Sequence, residues 1–78
     1  MREKLLEIVN TVLENNNKNT INNIQDDMNL REDLNLDSLD LAELTVRIEK
    51  EFNTDIFEDS IVTTIGEILK KIEKKNGE

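Results

Sequence analysis

The chain has 78 residues, of which 18 are acidic and 10 basic, and it contains no Cys and no His. This length predicts one small domain over residues 1–78, with a modest core and no disulfide to support it. The usual catalytic groupings cannot be assembled, because the thiol nucleophile, the usual general base and the commonest metal ligand are missing. The net charge of −8 argues against nucleic acid and favours partners with basic patches.

The same composition bears on location. No apolar run approaches the roughly 20 residues that a membrane span needs. The charged N-terminus, Met1-Arg2-Glu3-Lys4, does not resemble a signal peptide. Because the lack of Cys also fits a reducing compartment, we expect a cytoplasmic protein, and a monomer.

The first predicted helix covers residues 2–14, where apolar residues recur at helical spacing. We expect Asn15-Asn16-Asn17 to end it, with one Asn in the left-handed conformation. Residues 17–36 then form a long polar connection, with a helical turn expected over 20–24 and another turn over 31–33. Its apolar residues should anchor it across the core. The helix stripe is Leu5, Ile8, Val9, Val12 and Leu13, and the anchors are Ile21, Ile24, Met28, Leu30, Leu34 and Leu36.

The second predicted helix begins at Ser38 and ends at Phe52. Spacings of three, four and four residues place its core stripe on one face. Asp37 and Ser38 stand at the helix start, where a short polar side chain caps the helix. The Ser38 hydroxyl is therefore expected beside unpaired backbone N–H groups, a place that favours a phosphate. The core stripe is Leu41, Leu44, Ile48 and Phe52.

A second stripe follows the side of this helix that carries Ser38. It consists of Leu39, Ala42 and Val46, also spaced by three and four residues. An apolar face with a charged rim is typical of a surface that contacts a partner. The other reading, that Leu39 and Val46 pack under the long connection, stays open here. The acids that flank the stripe are Asp37, Asp40, Glu43 and Glu49.

Beyond a polar break at 53–55, Ile56 and Phe57 should return to the core. One short helical turn is expected over 58–62, anchored by Ile61. Thr63 or Thr64 should cap the last helix, with Glu67 completing a capping box. The last helix should bury Ile65, Ile68, Leu69 and Ile72.

No stretch alternates long enough to predict a strand. We therefore predict an all-α fold, a small antiparallel bundle of three main helices plus a short fourth, with a long loop between the first two.

The run Leu34-Asn35-Leu36-Asp37-Ser38-Leu39-Asp40 resembles the signature of the acyl carrier protein family, whose usual form is Leu-Gly-x-Asp-Ser-Leu before an acid-rich helix. Glu32-Asp33-Leu34 resembles the family's lead-in. Glu49-Lys50-Glu51-Phe52 followed by Ile56 resembles the end of its second helix. Thr64-Ile65-Gly66-Glu67-Ile68 resembles the start of its last helix, so that the likeness covers nearly the whole chain.

The resemblance implies a carrier and not an enzyme. In the family, a phosphopantetheinyl transferase moves 4'-phosphopantetheine from coenzyme A onto the serine, which here is Ser38. The thiol of the arm then holds an acyl or aminoacyl group as a thioester. The resemblance further implies that Asp37 contacts the transferase and that the second stripe contacts the loading and processing enzymes. Asp40 and Glu43 would form the charged rim of that contact.

Four departures from the family pattern bear on the pathway. Asn35 replaces the usual Gly, and Asn tolerates positive φ. Phe57 replaces a common Pro, and the segment 56–65 is shorter by about two residues. Arg47 puts a positive charge on the second helix. These differences favour a specialised carrier in a polyketide, peptide, lipid-modification or cell-wall pathway over a housekeeping role in fatty acid biosynthesis.

Two functions of other classes compete with the carrier. One is an unmodified helical interaction module that uses the Leu39/Ala42/Val46 face. The other is an acidic protein that binds divalent cations weakly through Asp37, Asp40 and Glu43. A dedicated calcium site is not expected, because no EF-hand loop is present.

Overall fold

The computed structural model describes residues 2–57 and 61–75 and contains three helices. They are α1 (Arg2–Asn15), α2 (Ser38–Phe52) and α3 (Ile65–Lys75). These bounds agree closely with the predicted ones. Within the described residues there is no strand, although Asn29 and Thr64 form an isolated antiparallel bridge. None of the described helices is both long enough and apolar enough to cross a membrane.

Helices α1 and α2 run antiparallel. Asn15 and Asn16, at the end of α1, donate hydrogen bonds to Glu43 in the first half of α2, over 3.1 and 3.4 Å. The opposite ends of the two helices share a surface pocket of about 290 Å³. The long connection after α1 makes this arrangement possible, as predicted. The pocket is lined by Lys4, Glu7, Ile8, Thr11, Arg47, Lys50 and Glu51.

The core draws on all three helices and on both connections. The predicted stripe of α1 is buried throughout, and so is that of α3. In α2, Leu44 and Ile48 are fully buried, while Leu41 and Phe52 are partly buried against the core. The connections contribute Leu30, Leu34, Leu36, Ile56 and Val62 as buried residues, with Ile21, Ile24, Met28 and Phe57 packed against them. The apolar anchors of the long connection are thus confirmed.

Two predicted turns are wrong or only partly described. Residues 20–24 form no helical turn, because Ile21 pairs with α1: its N–H donates to Asn10 Oδ1 and its carbonyl accepts from Asn10 Nδ2, both over 2.9 Å. Of the expected fourth helix over 58–62, residues 58–60 lie outside the described residues and 61–62 are not helical. Ile61 is 79% exposed and anchors nothing, whereas Val62 is buried in its place.

The connection between α1 and α2 is bonded to the start of α3. The Leu30 N–H donates to the Thr63 carbonyl over 2.9 Å, and the Ile65 N–H donates to the Met28 carbonyl over 3.0 Å. The Gly66 N–H reaches the Asp26 carbonyl, and a Cβ on Gly66 would lie 2.9 Å from that oxygen. A side chain at this position would force the backbone apart, which explains the Gly.

The ends of the helices follow the predicted capping chemistry. Asn17 takes the left-handed conformation after α1, at φ 59°. The Thr64 N–H donates to Glu67 Oε1 over 3.1 Å, and the Glu67 N–H donates to Thr64 Oγ1 over 3.3 Å, which is the capping box expected for α3. The hydrogen bond from the Thr63 N–H, with others from Thr63 and Thr64, holds the pKa of Glu67 below its ordinary value.

The start of α2 is fixed by a buried ion pair. Asp40 is 1% exposed, and its carboxylate binds the ammonium of Lys18, which also donates to the Asn35 carbonyl over 2.7 Å. Asp37 and Asp40 form a reciprocal capping box, in which each carboxylate accepts the other's backbone N–H. Burial alone would raise the pKa of Asp40, but the bonds from Lys18 and from the Asp37 N–H lower it overall.

Stability measurements test the two faces of α2. Ile48→Ala should lower the free energy of unfolding by about 2–5 kcal/mol, because it opens a cavity in the core. Val46→Ala is the matched control on the other face and should cost less than about 1 kcal/mol, since Val46 is 51% exposed. Urea denaturation followed by circular dichroism measures both, and equal losses would show that the faces are assigned wrongly.

The ion pair predicts a dependence of stability on pH. In the folded protein the pKa of Asp40 lies below its ordinary value of 3.8, so the pair stabilises the fold fully above pH 3.8 and is lost as the pH falls through the folded pKa. Lys18→Met leaves a buried carboxylate without its cation and should cost about 1–3 kcal/mol at neutral pH.

The loss from Lys18→Met should shrink as the pH falls below 3.8 and through the lower folded pKa of Asp40, because the carboxylate then takes up a proton in wild type as well. Denaturant titrations at a series of pH values measure this difference. Lys4→Met is the control, because Lys4 forms an exposed contact of 3.9 Å with Glu7. A loss that is the same at every pH would contradict the proposed role of the pair.

Candidate functional site

The Ser38 hydroxyl lies at the start of α2, on the surface. Ser38 is the first residue of the helix, follows the N-cap Asp37, and is exposed. Its Oγ accepts a hydrogen bond from Arg31 Nη2 over 3.0 Å. The first turn of a helix carries backbone N–H groups without helical partners and the positive end of the dipole. Because Ser38 is exposed, its hydroxyl is accessible to a modifying enzyme.

The residues before Ser38 hold it at the edge of the core. Leu34 and Leu36 are both buried, and Asn35 between them takes the left-handed conformation at φ 60°. The prediction that Asn can replace Gly at this turn is confirmed. Asp37 caps the helix, its side chain is 64% exposed, and it lies 3.8 Å from the Lys18 ammonium. The turn thus presents Asp37 and Ser38 outward while the leucines anchor it.

The second stripe of α2 is exposed. Leu39 is 81% exposed, Val46 is 51% exposed, and Ala42 between them is also on the surface. The alternative that Leu39 and Val46 pack under the long connection is wrong, because both side chains are exposed; the connection buries its own Leu30, Leu34 and Leu36 instead. An exposed apolar stripe beside Ser38 is available for contact with another protein.

The charged rim differs from the predicted one. Asp40 was expected on the rim, but its carboxylate is buried because it pairs with Lys18. Glu43 is half-buried and binds Arg47 Nε over 3.0 Å. The hydrogen bond from Asn15, followed by that from Arg47, holds the pKa of Glu43 below its ordinary value. Of the four flanking acids, Asp37 and Glu49 are the exposed ones.

Sequence reasoning missed two cations near the site. Lys18 pairs with Asp40, and Arg31 contacts Ser38, although 22 and 7 residues separate the partners. These contacts could not be predicted, because the irregular connection has no sequence periodicity that indicates which residues come together. Among the described residues, no group of three or more His, Cys, Asp or Glu side chains is arranged to hold a metal ion.

Comparison with known proteins agrees with this geometry. The family model described as "Phosphopantetheine attachment site" matches residues 3–72. Over 51 residues, the chain is 41% identical to the acyl carrier protein of Chlamydia trachomatis serovar D (strain UW-3/Cx) and to that of serovar A (strain HAR-13).

The two alignments cover 63% of this chain and 66% of each relative, just under two thirds of their length. No solved structure matches the chain significantly. The family match extends over far more than half of the chain. The chain therefore belongs to the acyl carrier protein family, whose phosphopantetheine-attachment domains carry covalently bound 4'-phosphopantetheine and act as carriers, not as enzymes.

Proposed function

We propose that this chain is an acyl or aminoacyl carrier protein that bears a 4'-phosphopantetheine arm on Ser38. The observation that supports the proposal is the exposed Ser38 hydroxyl at the first residue of α2. The arm supplies the thiol that the chain lacks, and that thiol holds the cargo as a thioester. Ser38 contributes an attachment point, and the fold contributes a defined surface around it.

The attachment step balances as a phosphoryl transfer. The Ser38 Oγ attacks the phosphorus of coenzyme A that bears the pantetheine, and a new O–P bond forms. The pyrophosphate P–O bond breaks, and adenosine 3',5'-bisphosphate leaves. The hydroxyl proton passes to a base of the phosphopantetheinyl transferase.

Partner enzymes should approach over the exposed stripe. Leu39, Ala42 and Val46 form its apolar part, and the carboxylates of Asp37 and Glu49 are exposed beside it. Glu43 contributes at the edge, while Asp40 acts indirectly by fixing the helix start. We expect the transferase and the loading and processing enzymes to present basic patches here, since opposite charges speed encounter.

Departures from the family pattern support a proposal about the pathway. Arg47 pairs with Glu43 and so reduces the negative charge of α2. Together with Phe57 and the shortened 56–65 segment, this favours partners other than those of housekeeping fatty acid synthesis. We propose a specialised lipid, polyketide or peptide pathway. The cytoplasmic location and the monomeric state stay predictions.

Intact-mass measurement tests the attachment site. Incubation with coenzyme A, magnesium and a promiscuous phosphopantetheinyl transferase should add one arm to wild type and none to Ser38→Ala. Ser60 is the other serine of the chain, so Ser60→Ala is the matched control and should be modified like wild type. An arm retained in Ser38→Ala would overturn the assignment. Failure of wild type to accept an arm would favour the unmodified interaction module.

A second measurement tests the partner surface. Leu39→Ala should leave the free energy of unfolding within about 0.5 kcal/mol of wild type, because the side chain is 81% exposed. The same variant should lower kcat/KM for arm transfer by roughly 3–30-fold, as expected for truncating an apolar contact at an interface. Leu44→Ala is the contrasting control: it truncates a buried side chain and should greatly lower the free energy of unfolding. Unchanged transfer kinetics in Leu39→Ala would exclude this residue from the transferase contact.

A further inference from the structure

The guanidinium of Arg31 lies against the proposed attachment point. Arg31 Nη2 donates to Ser38 Oγ over 3.0 Å, and both residues are exposed. The contact joins the turn at residues 30–34 to the first residue of α2. A group bonded to Ser38 Oγ would therefore start within reach of a fixed positive charge.

The backbone under Arg31 is well supported. The Arg31 N–H and the Glu32 N–H both donate to Asn29 Oδ1 over 2.9 Å, and the Asn29 N–H donates to Asp33 Oδ2 over 2.6 Å. Leu30, next to Arg31, is buried in the core. The guanidinium thus extends from an anchored turn, which lowers the entropy lost when it binds a ligand.

Arg31 is available for a new anion. Within residues 2–57 and 61–75, no carboxylate oxygen lies within 4.0 Å of its guanidinium, whereas Arg2 and Arg47 each contact one. This is notable in a chain with 18 acids and 10 bases. Its hydrogen bond to a neutral hydroxyl uses little of the donor capacity of a guanidinium, which carries five N–H groups.

We propose that Arg31 binds the phosphodiester that joins the arm to Ser38, an inference that rests on the proposed function. The phosphorus would be bonded to the very oxygen that Arg31 contacts, so its non-bridging oxygens lie close to the guanidinium. A guanidinium matches phosphate oxygens in a forked geometry that an ammonium cannot reproduce. Arg31 is then a positioning residue that directs the root of the arm toward the 30–34 turn.

Charge balance supports the same assignment. The phosphodiester adds one negative charge next to Asp37, whose side chain is 64% exposed, on a protein of net charge −8. Lys18 is also near the helix start, but its ammonium is engaged by Asp40 and the Asn35 carbonyl. Among the described residues near the helix start, Arg31 is therefore the cation that can offset the added charge.

The test compares unmodified and modified protein for wild type, Arg31→Gln and Arg31→Lys. Arg47→Gln is the matched control, because it also removes a guanidinium, but one that is partly exposed and pairs with Glu43. Intact mass first establishes that one arm is present. Two kinds of measurement follow. NMR records the ³¹P resonance of the phosphodiester and the Arg31 Nε–Hε resonance, and denaturant titration gives the equilibrium constant of unfolding at low and high salt.

In wild type, attachment of the arm should shift the Arg31 Nε–Hε resonance. The ³¹P resonance should differ between wild type and Arg31→Gln but not between wild type and Arg47→Gln. At low salt, attachment of the arm should shift the folding equilibrium constant toward the folded state about 2–5-fold more in wild type than in Arg31→Gln, as expected for an exposed charge pair. This difference between the two proteins should become smaller at high salt. Arg31→Lys should regain part of the stabilisation that the arm gives to wild type, but its ³¹P chemical shift should still differ from that of wild type.

The outcomes separate the two proposals. If wild type gains the arm while neither its Arg31 resonance nor the ³¹P resonance responds as described, this inference is overturned and the carrier function stands. If wild type gains no arm, both are overturned. Should Arg31→Gln resist modification, the Arg31 Nε–Hε shift in wild type still decides, since it needs no variant.

Discussion

The contact between the Lys18 ammonium and the Asp40 carboxylate holds together the parts of the chain on which the site depends. Lys18 lies near the start of the long connection, Asn35 lies in the turn before Ser38, and Asp40 belongs to the first turn of α2. The Lys18 ammonium binds both the Asn35 carbonyl and the Asp40 carboxylate. Through Asp40 the contact also reaches the Asp37 N–H. A buried carboxylate is tolerated because its cation and hydrogen bonds replace water. The helix start, and with it Ser38, is thereby fixed relative to the connection.

Helix α2 divides its apolar residues between folding and contact. Leu44 and Ile48 are fully buried, whereas Leu39, the second residue of the helix, is 81% exposed. Burying such a side chain would stabilise a fold by about 1.5–3 kcal/mol, so its exposure in a domain with a modest core is not explained by folding. Exposure of an apolar residue next to the proposed attachment point fits a surface that is covered when an enzyme binds. The same helix thus supports the fold with one face and leaves the other exposed for the proposed contact with partner enzymes.

Local patterns account for what the sequence could predict. The helices, their buried stripes and the αL positions of Asn17 and Asn35 depend on periodicity and on the conformational preference of single residues. The spacing of three between Asp37 and Asp40 could also have indicated their capping box. By contrast, the burial of Asp40 depends on Lys18, and the non-helical backbone at Ile21 is bonded to Asn10. These contacts join residues that are distant in the sequence. Because the connection between them is irregular, no sequence periodicity predicts which side chains come into contact.

The same irregular connection decides the electrostatics of the attachment point. Asp37 and Asp40 already place two carboxylates on the first turn of α2, so the positive end of the helix dipole is largely offset before any group is added to Ser38. A phosphodiester at Ser38 would then meet like charge, and the helix alone would not favour it. The nearby cations come from outside the helix: Lys18 pairs with the buried Asp40 carboxylate, and Arg31 contacts the Ser38 hydroxyl to which the phosphodiester would be bonded. Because the connection supplies both, it completes the site that the motif on α2 begins.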